Sequence, residues 1–270
     1  MSATPAGTPQ GRPASALIRR VVARSAAERT AQWAADSAAL RIARPGKLDL
    51  PYASGEHRLW DLFPAVSPVA PCLVLLPGGP WGAGGHRTWG TLARGLLAHG
   101  WAAALPGHSP VPGASLTRIV RELHRALDWL NTQGPLHGVA GPVLVCGWGA
   151  GALLAALLLD HPRVAAGLGI SGLYDLAPVE ERLELSPLEV EALSPLRLPV
   201  VRKPLALAFG ETEPPERQRS SRALHMLRQK EGGVGPLLPL PGLDEAGALE
   251  ALEAPDGLLC HTACALIEEA

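Results

Sequence analysis

One segment of the sequence has the spacing that acyl transfer by a side-chain nucleophile requires. An apolar run leads into Gly147-Trp148-Gly149-Ala150-Gly151, and an alanine- and leucine-rich helical pattern follows. A strand, a tight turn and a helix in this layout form the G-x-S-x-G elbow, which presents a serine hydroxyl for attack on a carbonyl carbon. Gly149 stands in the place of that serine. Glycine adopts the unfavourable backbone angles of such a turn without strain, so the turn is predicted to persist while the attacking oxygen is lost.

The elements around this segment alternate between buried strands and amphipathic helices. Helices of this length between strands imply parallel crossovers and a sheet that is covered on both faces. The sequence therefore predicts an α/β fold with a mostly parallel central sheet. The strands are expected at 57–63, 72–76, 101–105, 142–146, 164–170, 203–209 and 236–240, and the main helices at 88–99, 115–131, 152–159, 216–230 and 255–269.

Composition divides the chain into a tail, a helical segment and one folded domain. Residues 1–13 are rich in alanine, proline and glycine, which predicts a disordered tail. Residues 14–44 are amphipathic and contain acidic side chains, which favours a docking helix over a transit peptide. Residues 45–270 are expected to form a single domain, with a short cap-like insert at 173–199, because 47% of the 270 residues are hydrophobic and supply one full core.

Charge and cysteine usage exclude several classes of function. The formal net charge is −1 and no basic stripe is present, so a nucleic-acid partner is not expected. No apolar run approaches the roughly 20 residues that span a bilayer. Cys72 and Cys146 lie in predicted strands, while Cys260 and Cys264 lie on a predicted helix with too few neighbouring ligands for a metal. We therefore expect neither metal nor cofactor, and a reducing cytoplasm as the compartment.

Five segments, in order along the chain, together resemble a known family. They are Pro77-Gly78-Gly79-Pro80-Trp81, residues 170–176, 193–196, 209–216 and 240–246. Their counterparts are an H-G-G-x-W oxyanion loop, an I-S-G-L-Y-D-L segment, the end of a short cap, an acid loop G-x-x-D/E-x-P-E-F and a histidine loop L-P-G-x-D/N-H-F. The chain from residue 48 onward is thus similar to the kynurenine formamidases and related esterases. This resemblance implies the α/β-hydrolase fold.

The departures from the family pattern fall on the catalytic groups. In this fold the triad follows the chain order serine, acid, histidine. The resemblance places Gly149, Glu213 and Glu245 at those three positions, so only the acid is retained. Two carboxylates this close would share a proton, with the pKa of one strongly raised. The alternatives are that Glu245 turns into solvent or that a cation bridges the pair.

The resemblance also implies a partly retained ligand site. Pro77 replaces the histidine of the oxyanion loop, but the backbone amides of Gly78, Gly79 and Ala150 remain as donors for a carbonyl or carboxylate oxygen. Trp81 and Trp148 are expected to flank the pocket, where they either stack on a planar ligand or fill the space of the missing side chains.

Other nucleophiles and bases are predicted to be structural. Ser171 occupies a position that is structural in the resembled family, and the Cys146 thiol is expected to point into the core. His86 and His108 are interpreted as ordinary loop histidines because no nucleophile accompanies them.

Three functional hypotheses follow. The leading one is a hydrolase-fold pseudoenzyme, without serine or histidine, that binds a small carbonyl or carboxylate ligand or a protein partner. The second is an active ester or formamide hydrolase with a rewired site. The third is a purely structural interaction subunit that uses the helix in 14–44 as its contact, with an active relative or a second copy of the chain as its partner.

Overall fold

A central sheet organises the chain. The structure, a computed structural model, describes residues 26–79, 85–181 and 183–270. Within them eight strands form one sheet. The strands are β1 (Lys47–Pro51), β2 (Leu59–Phe63), β3 (Cys72–Leu76), β4 (Ala102–Pro106), β5 (Val143–Trp148), β6 (Val164–Ile170), β7 (Leu205–Gly210) and β8 (Leu237–Leu240).

In the described part of the chain, eight α-helices connect and cover these strands. They are α1 (Ala26–Ala43), α2 (Arg94–Ala98), α3 (Leu116–Gln133), α4 (Ala150–Leu157), α5 (Pro187–Leu193), α6 (Pro215–Lys230), α7 (Glu245–Glu250) and α8 (Leu258–Glu268). Among the described helices none combines the length and the apolar character needed to cross a membrane.

The order of the strands confirms the predicted class. The sheet runs β1-β2-β4-β3-β5-β6-β7-β8. β2 is antiparallel to both β1 and β4, and every other neighbouring pair is parallel. The sheet is therefore mostly parallel, and the carboxyl ends of β3, β5, β6 and β7 meet at one edge, where ligands bind in open α/β sheets.

Alternate residues of the strands build one hydrophobic core on each face. Val74 and Val145 lie in a cluster with the buried side chains of α3 and α4. Leu75 and Cys146 lie in a second cluster with those of α2 and α8. Because successive side chains of a strand point to opposite faces, these fully apolar runs require cover on both sides.

The helix α1 packs against its own chain. Its Trp33 indole lies 5.4 Å from that of Trp89. The Ser37 hydroxyl donates to the Thr88 carbonyl oxygen at 2.7 Å and accepts from the Thr91 backbone N–H at 3.0 Å. The buried side of this helix is therefore occupied within the chain. The predicted tail 1–13, and the helical segment up to residue 25, lie outside the described residues.

The insert at 173–199 packs on the face of the sheet that α3 and α4 also cover. Tyr174 and Leu176 in it are fully buried. The Glu189 carboxylate of α5 accepts hydrogen bonds from the backbone N–H and the hydroxyl of Thr117, at 3.1 and 3.0 Å. These two bonds fasten α5 to the first turn of α3.

A buried carboxylate fixes the loop that follows β4. Glu122 of α3 is 3% exposed, and it accepts hydrogen bonds from the backbone N–H and the hydroxyl of Ser109, at 2.7 and 2.9 Å. Burial alone would raise the pKa of Glu122. The bonds from Ser109 and from the guanidinium groups of Arg58 and Arg118 outweigh burial and lower this pKa to about 2.

We expect Glu122→Gln to destabilise the protein by about 2 kcal/mol at pH 7. A carboxyl whose pKa is lowered by folding stabilises the fold above its ordinary pKa, and this contribution is lost as the pH falls from 4.5 toward about 2. Urea unfolding at pH 7 and pH 3 measures the effect. The deficit of the variant should shrink at pH 3, and an exposed control, Glu216→Gln, should change little at either pH.

Candidate functional site

The turn between β5 and α4 has the geometry of a nucleophile elbow. Gly149 has φ 52° and ψ −116°, and its backbone N–H donates to the Ile170 carbonyl oxygen at 2.9 Å. A Cβ atom on Gly147 would overlap the carbonyl oxygen of Gly151, and a Cβ on Gly151 would overlap that of Leu76. All three glycines of the segment are thus explained, two by close backbone approach and one by its positive φ.

An ion pair lies above Gly149. A Cβ atom built on Gly149 would be 3.7 Å from Oε1 of Glu245 and 3.9 Å from Nη1 of Arg217, which are ordinary contact distances. These two atoms are 2.5 Å apart. The side chain of Arg217 is 41% exposed, and that of Glu245 is 40% exposed. Arg217 lies in the first turn of α6, and Glu245 is the first residue of α7. The place of the serine side chain therefore faces a solvent-accessible salt bridge.

Sequence reasoning missed Arg217, although a signal was present. In the acid-loop pattern G-x-x-D/E-x-P-E-F, which begins at Gly210, the final phenylalanine corresponds to Arg217. In the histidine-loop pattern the histidine corresponds to Glu245. A cation and an anion thus replace two residues of the family pattern, and the structure brings them into contact.

The acid of the family pattern, Glu213, lies four residues before Arg217 in the chain and is buried. Glu213 is 3% exposed, and its Oε1 accepts hydrogen bonds from the Gly210 N–H at 2.6 Å and the Ser171 hydroxyl at 2.5 Å. Its Oε2 is buried, and none of the described residues donates to it. In a serine triad this carboxylate oxygen receives the imidazole N–H. Glu213 and Glu245 have different partners, and the cation that contacts Glu245 is the Arg217 guanidinium.

Neither of the two other nucleophilic groups considered in the sequence is accessible. Ser171 has a positive φ of 53°, is 1% exposed, and donates its hydroxyl hydrogen to Glu213. Cys146 is fully buried, and burial raises the pKa of its thiol far above the ordinary value. Both groups are therefore shielded from solvent, and the Cys146 thiol is held in its protonated form, which is not the attacking species.

The two loop histidines have local partners. His86 is buried, and its Nε2 lies 2.8 Å from Oδ1 of Asp49. Nδ1 of His108 lies 2.9 Å from the Ser109 carbonyl oxygen, and burial lowers the pKa of this imidazole. Neither arrangement supplies a base beside Gly149.

One cluster of metal-ligand type is found within the described ranges. It consists of Asp49, Asp61 and His86, whose ligand atoms lie within 4.8 Å of one another. Arg41 makes ion pairs with both carboxylates at 2.9 and 2.8 Å, and Arg87 contacts Asp49 at 2.9 Å. The guanidinium groups compensate the two negative charges, so the cluster is complete as a salt-bridge network.

Three backbone amides stand where the family pattern has oxyanion donors. Gly79 has φ 81°, and no described atom lies within 4 Å of a Cβ built on it. Ala150 is the first residue of α4, so its N–H has no carbonyl partner within the helix. A Cβ on Gly78 would overlap the carbonyl oxygen and the indole of Trp148.

Trp148 is part of the core. It is 5% exposed, and its ring meets that of Trp89 edge-on at 4.9 Å. Since Trp89 also contacts Trp33, three indoles connect α1 to the strand that leads into the elbow. Trp148 therefore fills space beneath the oxyanion loop. Trp81, the other predicted pocket residue, lies outside the described residues.

The amino end of α7 is held from two sides. Asp244 caps this helix by accepting from the Gly247 N–H at 2.7 Å. Its other carboxylate oxygen lies 3.6 Å from Nη2 of Arg29 in α1. These contacts fix the helix turn that carries Glu245.

Comparison with curated proteins finds kynurenine formamidases. The chain is 23% identical over 206 residues to the kynurenine formamidase of Danio rerio, and the match covers 68% of this chain and 69% of that protein. It is 24% identical over 227 residues to the kynurenine formamidase of Salmo salar, with 76% of each chain covered. No family model matches the sequence.

Comparison with solved structures finds the same fold in esterases. A Silicibacter protein that carries the name thioesterase matches with a TM-score of 0.78 and 24% identity, covering 90% of this chain and 95% of its own. Esterase B of Lactobacillus rhamnosis matches with a TM-score of 0.68 and 18% identity, again covering 90% and 95%. The chain therefore has the α/β-hydrolase fold, and the curated proteins that it resembles in sequence are kynurenine formamidases.

Proposed function

We propose that this protein is a non-hydrolysing member of its fold that binds a small carbonyl or carboxylate ligand at the elbow. One observation carries the proposal: Gly149 holds the elbow conformation beneath the Arg217–Glu245 ion pair. The turn is kept, but it presents no oxygen nucleophile, and the residue at the histidine position is an anion bound to a guanidinium.

Loss of these groups removes nearly all triad catalysis. Removing the serine or the histidine of a serine protease lowers turnover about a million-fold, and both are replaced in this chain. A rewired hydrolase would need another nucleophile. Ser171 and Cys146 are buried, which argues against either as a replacement.

Ligand binding does not depend on the missing groups. The Ala150 N–H opens a helix whose dipole favours an acceptor oxygen at this end. Preorganised N–H donors attract a carbonyl or carboxylate oxygen whether or not a nucleophile attacks the adjacent carbon. Binding of a protein partner is the alternative to binding of a small ligand, although the buried side of α1 already packs within the chain.

A covalent probe tests the proposal. Esterase B of Lactobacillus rhamnosis has been crystallised with a tributyrin phosphonate inhibitor. We expect the same class of phosphonate to leave the intact mass of this protein unchanged, and 4-nitrophenyl acetate and N-formylaniline to be hydrolysed at the uncatalysed rate. A phosphonate adduct, or turnover that survives purification and disappears with Ser171→Ala or Cys146→Ala, would contradict the proposal.

We also propose the cytoplasm as its compartment. All four cysteines, Cys72, Cys146, Cys260 and Cys264, are free thiols. A reducing compartment keeps thiols in this state.

A further inference from the structure

We propose that Arg217 binds the carboxylate group of a small organic acid above Gly149, and that this ligand takes the place of the Glu245 carboxylate. The inference rests on the proposed function and names the chemical class of its ligand. Arg217 is the binding residue, and Glu245 is a built-in competitor for the same guanidinium.

The position of the ion pair supports this assignment. Nη1 of Arg217 lies 3.9 Å from a Cβ built on Gly149, so the guanidinium faces the point where the acyl group of a substrate is attacked in an active relative. Ala150, the residue after Gly149, offers its backbone N–H at the start of α4. A carboxylate placed there has two oxygens, one for a guanidinium N–H and one for a backbone N–H.

Glu245 shows that Arg217 accepts a carboxylate at this place. Its Oε1 is 2.5 Å from Nη1 of Arg217, a short charge-assisted contact. About two fifths of each side chain is exposed, at 41% and 40%. An ion pair that water reaches contributes little net stability, so an incoming carboxylate can replace the internal one.

The local charge favours exchange over simple addition. Arg217 and Glu245 together carry no net charge. A ligand carboxylate added beside the intact pair would place two carboxylates on one guanidinium, which is electrostatically unfavourable. Release of Glu245 into solvent keeps the charge of the site constant.

Isothermal titration with benzoate and with benzamide tests the inference. These probes share shape, and only benzoate is charged. We expect benzoate to bind more tightly than benzamide at low salt. Glu245→Gln should tighten benzoate binding about two- to fivefold by removing the competitor, and Arg217→Gln should weaken it at least about tenfold.

A matched control separates the pair from general charge effects. Glu216 and Arg219 form an exposed ion pair on the same helix, at 3.2 Å. Glu216→Gln makes the same charge change one residue from Arg217 and should leave benzoate affinity unchanged. Equal gains from Glu216→Gln and Glu245→Gln would overturn the inference.

The outcomes distinguish this inference from the proposed function. The carboxylate exchange is refuted if benzamide binds more tightly than benzoate, or if Arg217→Gln leaves the affinity for benzoate unchanged. Either result leaves a non-hydrolysing ligand-binding protein. If neither probe binds, the carboxylate exchange is refuted, while the proposed absence of hydrolysis is still decided by the phosphonate experiment. A phosphonate adduct on the unmodified protein refutes the proposed function even if benzoate binds as expected.

Discussion

The triple variant Gly149→Ser, Glu245→His and Arg217→Phe is expected to hydrolyse 4-nitrophenyl acetate at least about a hundredfold faster than the parent protein. Gly149 already has the elbow backbone, and a Cβ there meets only the two atoms of the ion pair, at 3.7 and 3.9 Å. Arg217→Phe restores the residue of the family pattern and removes a cation that would oppose protonation of the new imidazole.

The retained acid is the reason to expect a gain of this size. Oε2 of Glu213 is buried without a donor among the described residues, while Oε1 is held by Ser171 and Gly210. An imidazole N–H at position 245 would supply a donor and be oriented by the acid, as in a serine triad. Burial of an unpaired carboxylate oxygen is costly, so this new hydrogen bond should also form readily.

Initial rates and phosphonate labelling measure the restored activity. Gly149→Ser alone and Glu245→His alone should stay near the parent rate, because the triad groups act as a unit. Adding Glu213→Gln to the triple variant should remove most of the gain. If the triple variant is no faster than the single ones and takes no phosphonate, the spatial relation of the three positions is not that of a triad.

The sheet was largely predictable because its inner strands, β3 to β7, are apolar throughout. The predicted strands at 72–76 and 164–170 coincide with β3 and β6. A strand that is buried on both faces consists of apolar residues only, so it can be recognised from residue type without knowledge of the strands beside it. The class of fold follows from such runs and from the helices between them.

The first strand was not predictable in the same way. β1 spans Lys47–Pro51, and its pairing with β2 shifts register between Lys47 and Leu50. Asp49 within it has a positive φ of 56°. This irregular, half-buried edge strand alternates over only four residues, Lys47-Leu48-Asp49-Leu50, and it has no apolar run, so its signal in the sequence is much weaker than that of the inner strands.

The site was predictable in part. The spacing of Gly147 and Gly151 fixes the elbow locally, so the sequence indicated that Gly149 replaces the serine. The Arg217–Glu245 contact joins residues 28 positions apart and depends on how α6 and α7 begin. For Trp148 the sequence left two roles open, and only packing against Trp89 decides for the core.

The largest change in stability is expected from a single methyl group on β5. Gly147→Ala should destabilise the protein by about 3–4 kcal/mol, because its Cβ would overlap the backbone of Gly151 where α4 turns back on the strand. Backbone atoms on both sides cannot move without separating α4 from β5. Chemical denaturation at pH 7, followed by tryptophan fluorescence, measures the difference.

Gly149→Ala is the matched control, since it adds the same methyl group two residues along the chain. Its Cβ meets side-chain atoms at ordinary contact distances, so the cost is the positive φ of 52° alone, about 1–2 kcal/mol. The contrast depends on an elbow in which only the middle position has room for a side chain. Equal destabilisation by the two alanines would mean that Gly149 is as crowded as Gly147, and a serine at position 149 would then have no room to act.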